Sequence, residues 1–139
     1  MPDIPSVLRN AETIAVVGAS PRPGRTSHDI AQYLIRQGYT VIPVNPHRDT
    51  IFGVPCYPDL QSIPAEHRID IVNIFRRSDK TAGVIRDLLG RIEETEERPV
   101  VWTQLGVSSP EATRLIKDAE LPYVHEHCIY VEHRGLAFS

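Results

Sequence analysis

Apolar residues in this chain occur in two alternating patterns, short continuous runs and longer stretches with helical spacing. The runs are rich in β-branched residues and occupy positions 13–17, 40–44, 70–75, 99–103 and 122–124. The stretches with helical spacing occupy positions 27–37, 78–92 and 108–119. Buried strands that alternate with helices are typical of a parallel sheet covered on both faces. We therefore expect an α/β fold, a Rossmann-like three-layer sandwich with a five-stranded, mostly parallel sheet in strand order 3-2-1-4-5.

Local signals predict where the helices begin and end. Gly38 follows the first helical stretch and is expected to stop it. Ser78 is predicted as the N-cap of the second helix, and Ser109 with Pro110 is predicted to open the third. The acidic run at 93–97 lies between a helix and a strand and is interpreted as a solvated turn.

Composition narrows the classes of function. The 139 residues predict a single domain over 1–139. A formal charge of -3 argues against bulk attraction to nucleic acids or anionic membranes, so any anion site must be local. Two cysteines, no long apolar run and no signal-peptide pattern indicate a soluble, cytoplasmic protein.

Ligands of such sheets bind beyond the carboxyl ends of the strands, so ligand-binding residues are expected in the segments there. The loop after the first strand, positions 18–27, reads GASPRPGRTS and combines backbone N–H groups, a helix N-terminus, Arg22 and Arg25. This composition suits a phosphate. The glycine spacing is neither that of a dinucleotide loop nor that of a nucleotide-triphosphate loop. The structural alternative is a tight turn at Gly18 and a helix cap at Thr26 or Ser27.

The end of the second strand bears on which nucleotide is bound. A unit that binds NAD would place an acid there, but the chain reads Val44-Asn45-Pro46-His47-Arg48. The basic pair at its end fits a ribose with an extra phosphate, at the 2′ position in NADP or the 3′ position in coenzyme A. Alternatively, Arg48 is a solvated loop charge.

Two further strand ends carry candidate ligand contacts. The third strand ends in Phe75-Arg76-Arg77, and the fourth is followed by Gln104 and Gly106. Phe75 could equally be an ordinary core or rim aromatic, whereas a strand-end amide beside a glycine can hydrogen-bond a polar ligand arm.

Catalytic and metal sites find little support in the residues. No Ser-His-Asp set, Cys-His set or pair of carboxylates falls at the strand ends. The segment His125-Glu126-His127-Cys128 contains metal-ligating residue types, but alternation in an extended segment would place Cys128 opposite the histidines. No metal site is predicted, and this segment is interpreted as a strand end with a packed cysteine.

These segments together resemble a family of small bacterial and archaeal CoA-binding proteins, from about Thr13 to Arg134. The motifs PVNP and WxQxG carry the resemblance. The family is similar to the nucleotide-binding N-terminal domain of the succinyl-CoA synthetase alpha subunit, whose phosphorylated histidine lies in a second domain that this chain lacks. The resemblance implies a site for coenzyme A or an acyl-CoA, formed by Gly18, Ala19, Ser20, Arg25, Val44, Asn45, Pro46, Arg48, Phe75, Arg76, Gln104 and Gly106. Arg22 and Ser27 are added on physical grounds.

The leading expectation is therefore a non-catalytic module that binds coenzyme A or an acyl-CoA. Two alternatives stay open, an NADP-dependent oxidoreductase or other nucleotide-using enzyme on the same fold, and an interaction protein with a vestigial pocket. A homodimer or an enzyme partner is also left open. Cys128 would lie near the reactive end of the pantetheine arm, where it could form a mixed disulfide with the CoA thiol.

Overall fold

Five parallel strands form the central sheet of the protein, which a computed structural model describes over residues 1–136. The strands of the chain are β1 Thr13–Val17, β2 Thr40–Val44, β3 Thr50–Ile51, β4 Val54–Pro55, β5 Ile71–Ile74, β6 Val100–Thr103 and β7 Tyr123–Val124. The helices are α1 Ile4–Asn10, α2 Thr26–Arg36, α3 Ser78–Thr95, α4 Pro110–Asp118 and α5 Ile129–Gly135. Positions 137–139, the last of the predicted domain, lie outside the described residues.

The order of the strands places β1 near the middle of the sheet. The five-stranded sheet runs β2-β1-β5-β6-β7, and β3 pairs with β4 in a separate antiparallel hairpin. Counting only the five predicted strands gives 2-1-3-4-5. A parallel bridge between Val44 and Tyr57 adds an edge segment outside β2. Counting that segment as the third strand gives the expected 3-2-1-4-5 followed by β7, so the two descriptions differ in numbering.

Both faces of the sheet are buried, as the continuous apolar runs predict. Ala15 and Val17 of β1 pack in a core cluster that includes residues of α3 and α4. Ile14 and Val16 point to the other face and join a cluster that includes residues of α1, α2 and α5. The three-layer α/β architecture is therefore confirmed.

Helix ends follow the predicted signals in part. Gly38 has a φ of +100° directly after the end of α2, and the Ser109 hydroxyl accepts a hydrogen bond from the Ala112 amide at 3.1 Å. The prediction for Ser78 is wrong, because Ser78 is the first residue of α3 and the N-cap is Arg77, which makes no side-chain capping bond. A serine near the start of a helix does not by itself identify which residue is the N-cap.

The prediction of a solvated turn at 93–97 is wrong. Residues 93–95 are the end of α3, and Glu97 is only 1% exposed. Its carboxylate accepts from Arg91 Nε at 2.8 Å and from the Ile69 amide at 2.7 Å. Arg91 is also buried and donates to carbonyl oxygens of the segment 60–67, including that of His67 at 2.8 Å. A buried charge is stable only when it is paired and hydrogen-bonded, and this pair meets both conditions.

Three elements were missed by the sequence analysis: α1, the β3–β4 hairpin and α5. α1 and α5 are each seven residues long, and each hairpin strand has two residues, which is too short for a clear hydrophobic period. The predicted strand end at 125–128 is instead an irregular segment in which Glu126 has a φ of +55°. Within residues 1–136, the helices are too short or too polar to cross a bilayer.

Candidate functional site

An open cleft of about 610 Å³ lies at the carboxyl ends of β1, β2 and β5, and we call it the main cleft. Of the residues predicted from the sequence, it is lined by Gly18, Ala19, Ser20, Arg25, Val44, Asn45, Pro46 and Arg76. Its position matches the rule that ligands of open α/β sheets bind beyond the carboxyl ends of the strands.

A second cavity of about 410 Å³ lies at the start of α2, and we call it the helix cavity. Gly18, Ser20 and Arg25 line both spaces, so the two are neighbours. Ser27 and Phe75, also predicted from the sequence, line the helix cavity. The structure thus brings most of the predicted residues together around the loop 18–27, which we call the phosphate loop.

Side chains from the first turns of α2 hold the phosphate loop. The Ser20 amide donates to Ser27 Oγ at 3.1 Å, and the Gly24 amide donates to Asp29 Oδ1 at 3.0 Å. His28 is 7% exposed, and its Nδ1 lies 2.9 Å from the Ser20 carbonyl oxygen, a contact in which the ring nitrogen is the donor. The loop is therefore shaped by the protein before any ligand arrives.

The start of α2 keeps backbone donors available. Its N-cap, Arg25, makes no side-chain capping bond, and the amides of Thr26 and Ser27 have no hydrogen-bond partner among residues 1–136. These residues line the helix cavity. Unfilled N–H groups and the positive end of the helix dipole together favour an anion.

Gly18 is required by the close approach of two strand ends. It has a φ of +90°, and a Cβ built on it would lie 3.3 Å from Arg76 Cδ and from the Phe75 carbonyl carbon. A larger residue would be strained in this conformation and would displace the Arg76 side chain. Gly18 therefore lets the stem of Arg76 lie against the phosphate loop.

Asn45 connects the ends of β1 and β2. Its Nδ2 donates to the Ala19 carbonyl at 2.8 Å, and its Oδ1 accepts from the His47 amide at 2.8 Å. The side-chain amide thus fixes the two loops that border the main cleft on this side.

The charged side chains of the main cleft differ in whether they bond to other parts of the protein. Arg25, Arg76 and Lys80 have no ion pair among the described residues. In contrast, Asp87 accepts from the amides of Leu60 at 2.7 Å and Gln61 at 3.3 Å, and it thereby anchors the segment after Pro58. This carboxylate therefore supports the protein, whereas the three cations are available to an anion.

Four predicted residues lie outside both cavities: Arg22, Arg48, Gln104 and Gly106. Arg22 and Arg48 are exposed. Gln104 is 6% exposed, and its Oε1 accepts from Asn73 Nδ2 at 3.2 Å and from the Ile129 amide at 3.0 Å. The Gln104 side-chain oxygen therefore holds α5 against the sheet instead of facing a ligand.

Sequence reasoning missed one whole side of the main cleft. Lys80, Gly83, Val84 and Asp87 line it from α3, and we call them the α3 face. Their spacing of three, four and seven residues places them on one side of a helix. The spacing is visible in the sequence. However, the four residues are a cation, a glycine, an apolar residue and an acid, so they form no pattern as clear as the apolar face of the same helix.

Ser108, His125 and Glu126 lie away from the main cleft and the helix cavity, and they line another cavity of about 720 Å³. His125 Nε2 lies 2.9 Å from Ser108 Oγ, and Ser108 also hydrogen-bonds the Glu126 carboxylate. The Ser108 bond, followed by that from the Gly106 amide, lowers the pKa of Glu126. Glu126 contacts the serine, and its carboxylate is 3.8 Å from the same His125 nitrogen that faces Ser108, so the order of a Ser-His-acid triad is absent.

The metal-ligating residue types of the C-terminal segment do not converge. Among residues 1–136, no group of three or more His, Cys, Asp or Glu side chains could hold a metal ion. Cys128 is partly buried at the N-cap of α5 and lines neither the main cleft nor the helix cavity.

Comparison with known proteins matches most of the chain to one protein family. The model of a family described as "CoA binding domain" matches residues 12–134. The uncharacterized protein YneT of Bacillus subtilis (strain 168) is 40% identical over 131 residues, which cover 94% of this chain and 92% of YneT.

Two solved structures extend the likeness. A hypothetical protein from Pyrococcus horikoshii OT3 has a TM-score of 0.87 and 32% identity, covering 97% of this chain and 90% of its own. The dinucleotide-forming acetyl-coenzyme A synthetase 1 of Ca. Korarchaeum cryptofilum has a TM-score of 0.70 and 27% identity. That match covers 91% of this chain but 28% of the synthetase, so this chain corresponds to one part of the larger protein.

Proposed function

The chain belongs to the CoA binding domain family, and from this premise we propose that it binds coenzyme A or an acyl-CoA in the main cleft and the helix cavity. One observation carries the proposal. Thr26 and Ser27, whose amides have no hydrogen-bond partner among residues 1–136, line a cavity that Arg25 and Gly18 also line. That arrangement suits the diphosphate of a nucleotide.

The charge of the ligand matches the unpaired cations. Coenzyme A carries about four negative charges, and Arg25, Arg76 and Lys80 line the main cleft without ion pairs among the described residues. Each charge-assisted contact that is partly shielded from water contributes roughly 1.5–3 kcal/mol. Pro46, which is exposed, offers apolar surface to the adenosine after the end of β2.

We propose a binding module without chemistry of its own. The titratable cluster at Ser108, His125 and Glu126 is occupied by bonds that hold its loops together. The likeness to a synthetase covers less than a third of that protein, so its reaction does not carry over. A single domain over 1–139, a cytoplasmic location, and a homodimer or enzyme partner belong to the same proposal.

A panel of nucleotides tests the proposal by thermal shift on the purified chain, after co-purified ligand has been removed. Coenzyme A and acetyl-CoA, at 100-fold over the dissociation constant, should each raise the midpoint by about 10 °C, because such binding adds about 2.7 kcal/mol to stability. NAD should give no shift. Arg25→Gln and Arg76→Gln should each reduce the CoA shift. A shift with NADP and none with CoA would overturn the proposal in favour of a dinucleotide site.

A further inference from the structure

Lys80 on the α3 face is an exposed cation that makes no ion pair within the part of the chain that the structure describes. It lines the main cleft. Its neighbour Asp79 is paired instead with Arg77, at 3.2 Å. The ammonium group is therefore free to meet an anion in the cleft.

Two arginines also line the main cleft without an ion pair among the described residues, and both lie at the end of the cleft that the phosphate loop borders. Arg25 is the N-cap of α2 and lines both the main cleft and the helix cavity. The stem of Arg76 lies against Gly18, since a Cβ on that glycine would be 3.3 Å from Arg76 Cδ. Both arginines therefore lie at the end of the cleft where, under the proposed function, the backbone amides of α2 bind the diphosphate. Lys80 lines the cleft from a different element, α3.

Arg48, the residue suggested by sequence for a ribose phosphate, is exposed and does not line the cleft. Its neighbour His47 does line it, but the His47 amide is tied to Asn45 Oδ1. The position of Lys80 in the first turn of the 18-residue helix α3 adds the positive end of the helix dipole to its own charge.

Resting on the proposed function, we propose that Lys80 binds the 3′-phosphate of the ligand and thereby makes the site prefer coenzyme A to nucleotides whose ribose lacks that phosphate. A terminal phosphate presents several acceptor oxygens in a flexible geometry. The lysine ammonium, a compact charge with three donors on a flexible stem, can donate to several of these oxygens.

Isothermal titration with CoA and 3′-dephospho-CoA on the full chain tests this assignment. The wild type should bind CoA about tenfold more tightly, the difference made by one charge-assisted contact. Lys80→Met should lower the CoA affinity about tenfold and leave dephospho-CoA within about twofold. Lys80→Arg should retain most of the preference, and Lys117→Met, the matched control at an exposed lysine outside the main cleft, should retain all of it.

The outcomes separate this assignment from the proposed function. Binding of neither nucleotide by the folded wild type would overturn the proposed function, and the assignment with it. Binding of both with equal affinity, or an unchanged ratio in Lys80→Met, would overturn only the role of Lys80. A ratio lost in Arg48→Met or His47→Gln, but not in Lys80→Met, would move the phosphate to the β2 side. Circular dichroism and the melting midpoint confirm that each variant is folded.

Discussion

Gly83 lies inside α3, where glycine weakens a helix, yet nothing in the fold requires it. It is exposed, and a Cβ built there would meet no atom within 4 Å. It also lines the main cleft as part of the α3 face. The change Gly83→Ala should therefore fill space that belongs to the ligand and not to the protein.

The two effects of this change have opposite signs. Alanine in place of an interior helical glycine stabilises a helix by about 0.8–1.0 kcal/mol. For 139 residues, at about 2.1 cal/mol/K per residue, this corresponds to a rise of about 3 °C in the melting midpoint. An added methyl group that meets a bound ligand should oppose binding by about 1–3 kcal/mol, the range for overpacking, which is at least a fivefold loss of CoA affinity.

Urea denaturation without ligand and isothermal titration with CoA measure the two effects separately. Gly90→Ala is the contrast for stability, since a Cβ at Gly90 would lie 2.8 Å from the Gln61 side chain and should gain less. If Gly83→Ala bound CoA as tightly as the wild type, the ligand would not contact the α3 face and the reasoning would be refuted. A loss of stability without ligand would contradict the free space around Gly83.

Three further changes test other parts of the structure. His28→Ala removes the donor to a phosphate-loop carbonyl, so it should destabilise the protein by about 1–3 kcal/mol and weaken CoA binding; unchanged CoA affinity in the folded variant would exclude a role in shaping the loop. Glu97→Gln leaves the buried Arg91 charge without its carboxylate and should lower the free energy of unfolding by about 3–5 kcal/mol in urea, whereas the exposed Glu94→Gln should change it by less than about 0.5 kcal/mol. The folded-state pKa of Glu126 is lowered, so its contribution to stability is present above about pH 4.5 and is lost as the pH falls through the folded-state value. The urea midpoint should therefore fall less between pH 6 and pH 3 in Glu126→Gln than in the wild type. An equal fall of the urea midpoint in both proteins would contradict this.

The fold class could be predicted because the strands are buried on both faces and read as continuous apolar runs. Even so, α5 was missed, since its seven residues begin directly after Cys128 in a segment with no helical period of its own. Glu97 was misjudged for a different reason. Its burial depends on Arg91, six residues earlier, and on the amide of Ile69, 28 residues away, which no local pattern reveals.

The phosphate loop could be found because glycine, arginine and a following helix are adjacent in sequence. The roles of the loop's side chains could not be predicted from the sequence. Ser27 and Asn45 were expected to contact a ligand, and the structure shows them bonded to the loop itself. Gln104 illustrates the same limit, because its partners Asn73 and Ile129 come from distant parts of the chain.

The buried pair of Arg91 and Glu97 bears on how a ligand enters and leaves. Arg91 ties the segment 60–67 to α3, and Asp87 holds the start of that segment beside the main cleft. A segment anchored by a desolvated ion pair does not swing aside at low energy, so this border cannot serve as a gate. Stopped-flow traces of ligand exchange should then show no slow phase from opening of this border.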